Sequence, residues 1–251
     1  MRNTHKNVVV GIVGFGRFGQ LVARFLSKEF AVVVYSKLLP KKLPQNIRIR
    51  FGTLRDISQS QIVIFCVPIR NFKESIKEVS PFLKKGTLVV DVCSVKKHPV
   101  EVMKRYLPRD VDILGTHPLF GPNSVQHGLK GLCIVLSPVR ISKTRLATVK
   151  HWLKKKKLRL ITMLPDKHDR LMAKTHVMAH LIGRALHKIN AKKTPIETPT
   201  FRKLLEAEEM VSRDTRELSL DIYRFNPYAR SACRKFKKAF SKLAQSWDQK
   251  S

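Results

Sequence analysis

Val8 to Val13 is an apolar run without a polar break, and it ends on Gly14-Phe15-Gly16-Arg17-Phe18-Gly19. A strand with no polar alternation suits burial on both faces, which is the situation of a central strand in a parallel sheet. The glycine spacing that follows has a specific physical use. Gly14 permits a tight turn, Gly16 lets a pyrophosphate approach the backbone, and Gly19 lets the next helix pack closely on the strand. The N-terminus of that helix presents unpaired N–H groups to phosphate. Strand, turn and helix in this order predict a dinucleotide-binding α/β unit, with Gly14, Phe15, Gly16, Arg17, Phe18 and Gly19 at the cofactor.

The end of the second apolar run reads Tyr35-Ser36-Lys37. A site selective for NAD carries an acid there to bind the ribose hydroxyls. A hydroxyl followed by a cation suits a 2′-phosphate instead. Ser36 and Lys37, with Arg17 adding charge, therefore favour NADP, with NAD as the other possibility. A solvated Lys37 with no ligand role is the plainer reading of the same residue.

From residue 8 to about 164, short β-branched runs alternate with amphipathic segments, the pattern of a parallel sheet covered by helices. Strands are predicted at Val8–Val13, Ala31–Tyr35, Ile47–Phe51, Ile62–Val67, Leu88–Val92, Val111–Leu114, Leu132–Leu136 and Leu158–Met163. Helices are predicted at Gln20–Lys28, Asn71–Phe82 and Ser142–Lys155. Beyond Pro165 the strand-like runs stop. One long helix over His168–Ile189, another over Phe201–Phe225 and a third over Ala229–Gln249 are predicted from apolar spacing. The expected organisation is a Rossmann-type parallel sheet, residues 1–164, followed by a smaller all-α unit, residues 165–251. The second is short for an independent core and is expected to pack on a partner subunit.

Two motifs carry chemistry. Asp91-Val92-Cys93-Ser94-Val95-Lys96 follows a strand, and Gly115-Thr116-His117-Pro118-Leu119-Phe120-Gly121-Pro122 follows the next. Two prolines and two glycines make the octapeptide read as a loop. A histidine held there, downstream of a cofactor motif, is a candidate proton-transfer group because imidazole titrates near neutrality. Ser94 reads either as a site hydroxyl or as a helix N-cap.

With the glycine motif, the two motifs around Ser94 and His117, and His168-Asp169 followed by His180, the chain resembles the prephenate/arogenate dehydrogenase family over nearly its whole length. The segments around Ser94 and Leu204–Asn226 look closest to the arogenate-dehydrogenase branch. The resemblance implies oxidative decarboxylation of a cyclohexadiene carrying a ring hydroxyl and a ring carboxylate, with hydride passing to NADP, in tyrosine biosynthesis. It implies that His117 accepts the hydroxyl proton and that Ser94 orients that hydroxyl. It further implies that His180 reaches the substrate and that the protein is a homodimer. The prephenate branch holds a substrate carboxylate with an arginine. A gap-free reading puts Met210 there, with Arg202, Arg213 and Arg216 nearby and the role open among them. Asp214 stands where arogenate-type members carry an acid that would attract an ammonium group. His168-Asp169 opens its helix, where Asp169 would complement the dipole.

His176 and His180 share a helix face, but no acidic ligand or HExxH pattern accompanies them, so no metal is expected. Lys and Arg number 50 against 18 Asp and Glu, a net charge of +32. The cations are spread along the chain, which ranks broad composition first, anionic small molecules second and nucleic acid third. No apolar run is long enough to span a membrane and no signal-like N-terminal segment occurs. The four cysteines, Cys66, Cys93, Cys133 and Cys233, show no CxxC pairing. Together these point to a cytoplasmic protein that acts on a small molecule. The alternatives are another two-domain Rossmann dehydrogenase, of β-hydroxyacid or imidoreductase type, and a non-catalytic nucleotide-sensing or nucleic-acid-binding protein.

Overall fold

A computed structural model describes residues 8–39, 47–125 and 128–249. The chain divides by its internal packing into two units, the first ending at Pro165 and the second beginning at Asp166.

The first unit is a single sheet with helices. In chain order its elements are β1 (Val9–Val13), α1 (Arg17–Leu26), β2 (Ala31–Tyr35), β3 (Ile49–Phe51), α2 (Leu54–Ile57), β4 (Ile62–Phe65), α3 (Phe72–Val79), β5 (Leu88–Asp91), α4 (Lys97–Tyr106), β6 (Asp112–Pro118), β7 (Cys133–Arg140), α5 (Lys143–Lys155) and β8 (Arg159–Thr162). The strand order is β3-β2-β1-β4-β5-β6-β7-β8. Every pairing is parallel except β6 with β7, which is antiparallel. Chain order reverses between β1 and β4, and in open α/β sheets ligands bind outside the carboxyl ends of the strands at such a point. Gly14 to Gly19 lie there.

Burial follows from position. Val10, Ile12, Val32 and Val34 turn to one face and pack with Phe15, Ala23 and Leu26 of the turn and α1. Val63, Phe65 and Val89 are buried too, with the Phe72 ring tilted on Phe65 at 5.7 Å. Further along the sheet, Leu88, Val90, Leu114, Ile134 and Leu136 meet Leu153 of α5 and Leu158.

The octapeptide expectation is corrected. Gly115-Thr116-His117-Pro118 is not loop but the end of β6. Pro118 is tolerated because it closes the strand, beyond the β5 pairing that ends at Gly115, with only β7 alongside, His117 opposite Val135 and Pro118 opposite Ile134. Gly115 lies where Val100, the Asp91 carboxylate and the Ser137 carbonyl all crowd in, and a Cβ there would meet them at 3.2–3.3 Å. The turn begins only after Pro118, and Pro122–Ser124 forms one 3₁₀ turn. Two short elements gave no strong pattern: α2, closed by a reciprocal Thr53–Asp56 capping box, and α4, which carries Pro99 in its first turn.

The second unit contains α6 (Pro165–Lys174), α7 (His176–Lys188), α8 (Pro199–Ser212), α9 (Arg216–Phe225) and α10 (Ala229–Asp248). Of the three helices expected here, the first two are broken and the third stands whole as α10. At Thr175 the hydroxyl bonds back to the Leu171 carbonyl at 3.2 Å, a bond that competes with the helix ladder. At Thr215 the hydroxyl accepts the Leu218 N–H at 3.1 Å and starts α9 as an N-cap. Ala173, Val177, Ile222 and Ala229 form the small core of this unit. Among the described residues no helix is long and apolar enough to cross a membrane.

Candidate active site

The glycine turn has the geometry its spacing predicts. Gly14 sits at φ +95°, and a Cβ there would meet the Cys66 carbonyl oxygen at 2.7 Å. A Cβ on Gly19 would fall 2.3 Å from the Gly14 carbonyl oxygen, so α1 can approach the turn only without a side chain there. A Cβ on Gly16 would meet nothing within 4 Å. Gly16 is the N-cap of α1, and among the described residues no side chain caps that end. An open backbone face at a helix N-terminus fits a dinucleotide pyrophosphate. Phe15 is buried edge-on against Phe51 at 5.2 Å, and Phe18 packs into the same cluster. Both residues build the floor of the turn.

Just past Tyr35, where β2 ends, the side chains separate. Ser36 Oγ faces the glycine turn, where it accepts the Phe15 N–H at 3.3 Å, and it donates to the Leu38 carbonyl at 2.7 Å. Lys37 pairs instead with Glu78 of α3 at 2.8 Å. Tyr35 donates to the other oxygen of the same carboxylate at 2.8 Å, and this bond is the main reason its phenol is harder to ionise. Arg17 donates from its guanidinium to Asn123 Oδ1 at 3.0 Å. That bond joins the glycine turn to the 3₁₀ turn that follows the His117 strand.

Beyond β5 the chain wraps around one carboxylate. Asp91 is fully buried; its Oδ1 accepts the Cys93 N–H at 2.9 Å and the ammonium of Lys96, itself fully buried. Burial pushes the Asp91 carboxyl upward, and Lys96 opposes that shift. The Asp91 carbonyl accepts the Thr116 hydroxyl at 2.6 Å. Ser94 lies half-buried at the apex of this wrapped segment, between buried Cys93 and Val95. The N-cap of α4 is Lys96, so Ser94 does not serve as that cap. Asp91 stands beside Gly115 in register, which puts the start of the Ser94 segment next to the end of β6. His117 is 5% exposed there. In the sequence Asp91 and Lys96 are visible only as an acid closing an all-apolar strand and a lysine five residues on.

The helical unit has its own polar cluster. His180 Nδ1 lies 2.9 Å from Ser219 Oγ, which accepts from Arg184 Nε at 3.1 Å. His180 Nε2 faces Asp214 Oδ2 at 3.9 Å. Arg184 also donates to the Asp214 backbone carbonyl at 2.5 Å. The His176 ring meets His180 edge-on at 4.6 Å. Burial depresses both imidazoles to about 4, with His180 adding to the shift of His176 and Arg184 to that of His180. Arg213 turns away to Glu209, Arg202 pairs with Glu197, and Met210 is exposed. Arg184 is therefore the arginine beside His180, readable in the sequence as the third member of the i, i+4, i+8 face that starts at His176. His168 Nδ1 lies 2.7 Å from Asp169 Oδ1 with both side chains buried. The helix starts earlier, at Pro165, so Asp166 occupies its first turn and Asp169 does not serve the dipole there. Among the described residues no group of three or more His, Cys, Asp or Glu could hold a metal ion.

This fold and turn define a Rossmann-type nucleotide-binding unit with an appended helical unit. Residues 41–162 match the family described as prephenate dehydrogenase, nucleotide-binding domain, and residues 185–251 match the TYRAAT1-like C-terminal domain. Arogenate dehydrogenase 1 of Arabidopsis thaliana, a chloroplastic protein, is 32% identical over 96% of this chain and 39% of its own length. Arogenate dehydrogenase 2 of the same plant is 31% identical over 93% of this chain and 68% of its own length. The chain thus spans well under half of one plant relative and about two thirds of the other. The fold matches prephenate dehydrogenase from A. aeolicus, solved with hydroxyphenyl propionate and NAD+, at a TM-score of 0.76, 22% identity, and 97% and 91% coverage of the two chains. The chain belongs to the prephenate/arogenate dehydrogenase family.

Two outcomes follow from these clusters. Lys96→Met leaves the Asp91 carboxylate buried without its cation and is expected to cost about 3–5 kcal/mol of stability, read by urea denaturation. His176 and His180 are held neutral in the fold but protonate near 6.5 when unfolded. The unfolded chain therefore binds more protons between about pH 6.5 and 4, and stability falls as pH drops through that window. Denaturation at pH 7 and pH 5 checks this, and His180→Gln should flatten the dependence.

Proposed function

We propose that the chain catalyses NADP-linked oxidative decarboxylation of arogenate or prephenate in tyrosine biosynthesis. The observation that carries this reading is the Arg17–Asn123 bond, which ties the glycine turn to the segment leaving the His117 strand within one sheet unit. A bound nicotinamide supplies the hydride acceptor. His117, at the carboxyl end of β6, takes the ring-hydroxyl proton as the carbon bearing it gives up hydride. Ser94, at the apex of the segment wrapped on Asp91, orients that hydroxyl. The electron pair of the breaking carboxylate bond enters the ring, CO2 leaves, and the ring oxygen takes the proton back from His117 as the ring becomes an aromatic phenol.

The glycine turn, Ser36 and Lys37 hold the dinucleotide in this reading. His180 and Asp214 contribute to the substrate, and Arg184 joins them as a cation for a carboxylate. Arg213, paired outward with Glu209, is the weaker candidate for that role. Asp214 favours a substrate carrying an ammonium group, hence arogenate. The names of the two plant relatives support the same choice. Free cysteines at Cys66, Cys93, Cys133 and Cys233 support a reducing, cytoplasmic setting.

The helical unit serves as the dimer surface in this reading. Phe236, Phe240, Leu243 and Trp247 lie at helical spacing on α10 and are 36–66% exposed. Light scattering should give twice the chain mass, and Phe240→Glu with Trp247→Glu should give a single chain.

Absorbance at 340 nm with arogenate and prephenate, each with NADP and NAD, tests the reaction. Arogenate with NADP is the pair expected to give the highest kcat/KM. His117→Ala should lower kcat about a hundred- to ten-thousand-fold while NADP binding stays unchanged. A protein that binds NADP but reduces none with either substrate is not this dehydrogenase.

A further inference from the structure

Glu78 meets the end of β2 from an element that sequence patterns do not associate with the cofactor. It lies on α3, 41 residues beyond Lys37, and its carboxylate is held at both oxygens, by Tyr35 Oη and by Lys37 Nζ, each at 2.8 Å. Its side chain is 28% exposed and that of Lys37 70%. Tyr35 and Lys37 are alternate residues and share a side of the chain. Ser36 points the other way, to the Phe15 N–H of the glycine turn. The one cation at this strand end that sequence reading assigns to a 2′-phosphate is thus engaged by a carboxylate, and Tyr35 fixes that carboxylate in place.

We propose that Glu78 is a specificity-determining residue of the nucleotide site, setting the NADP-to-NAD preference by competing with a 2′-phosphate for Lys37. The inference rests on the nucleotide-binding reading above. The competition is graded. A mostly exposed lysine in an ion pair of this kind is held by a modest energy, so it can leave Glu78 for a phosphate dianion. Glu78 lowers the affinity for a 2′-phosphate without abolishing it. NAD lacks that phosphate and does not feel the competition. Tyr35 matters because a carboxylate anchored by a phenol cannot swing away when Lys37 departs. Lys37 therefore keeps a fixed partner that a 2′-phosphate has to displace.

The test is calorimetric titration of the full chain with NADP and with NAD, in the wild type, Glu78→Gln, Lys37→Ala and the double variant. Glu78→Gln should tighten NADP about two- to five-fold and leave NAD unchanged. Adding Lys37→Ala should remove that gain. Circular dichroism of each variant separates a binding change from misfolding. Equal shifts for both nucleotides, or no shift, would overturn the proposal. So would a gain that persists without Lys37, because Glu78 would then act on the phosphate directly. If the folded wild type binds neither nucleotide, the nucleotide-site reading itself fails and takes this inference with it.

Discussion

The buried pair of Asp91 and Lys96 organises the centre of the sheet unit. Neither side chain reaches solvent. Taking two charges out of water costs several kcal/mol per ion, and attraction between them offsets this only when further hydrogen bonds are made. Here Asp91 Oδ1 also takes the Cys93 N–H, and the Asp91 carbonyl takes the Thr116 hydroxyl. The carboxylate thereby closes the chain from Asp91 to Lys96 on itself and ties it to β6. Ser94 rides on the first connection and His117 follows the second. A pair with this solvation cost is poorly explained as a stabilising device alone. Its geometric product is one rigid turn beside one rigid strand end. Cys93, packed in the same turn, has its thiol pushed well up by burial and by Asp91, which makes it inert packing.

A comparable economy appears in the helical unit. Ser219 is a single hydroxyl, yet it serves both Arg184 and His180. Arg184 also donates from Nη2 to the Asp214 carbonyl, where α8 has ended and α9 has not begun. The break between those helices is therefore part of the polar cluster. It exposes a carbonyl that an unbroken helix would have consumed in its own ladder.

Local sequence determined much of the architecture because the signals were local. The strand Ala31–Tyr35 falls on its expected bounds, and the glycine turn follows β1 as its spacing demands. Helices were harder to bound. Thr175 and Thr215 each act through one hydroxyl on a neighbouring backbone group, and apolar periodicity passes over such residues unbroken. The octapeptide shows the opposite error. Its prolines and glycines signal a loop, but a long-range antiparallel partner, β7, accepts Pro118 at a strand end and gives His117 a sheet environment.

By itself the sequence determined that a double-faced strand leads into a glycine turn, that motifs with Ser94 and His117 follow later strands, and that a helical half carries His180 and Asp214. These depend on residue type and short spacing, which a chain carries with it. Tertiary structure alone decided which polar groups meet. Lys37 turned to Glu78, Arg17 to Asn123, Asp91 to Lys96 and Arg184 to Ser219. Side-chain direction and helix packing choose such partners across tens of residues, and neither is written in the spacing of either partner alone.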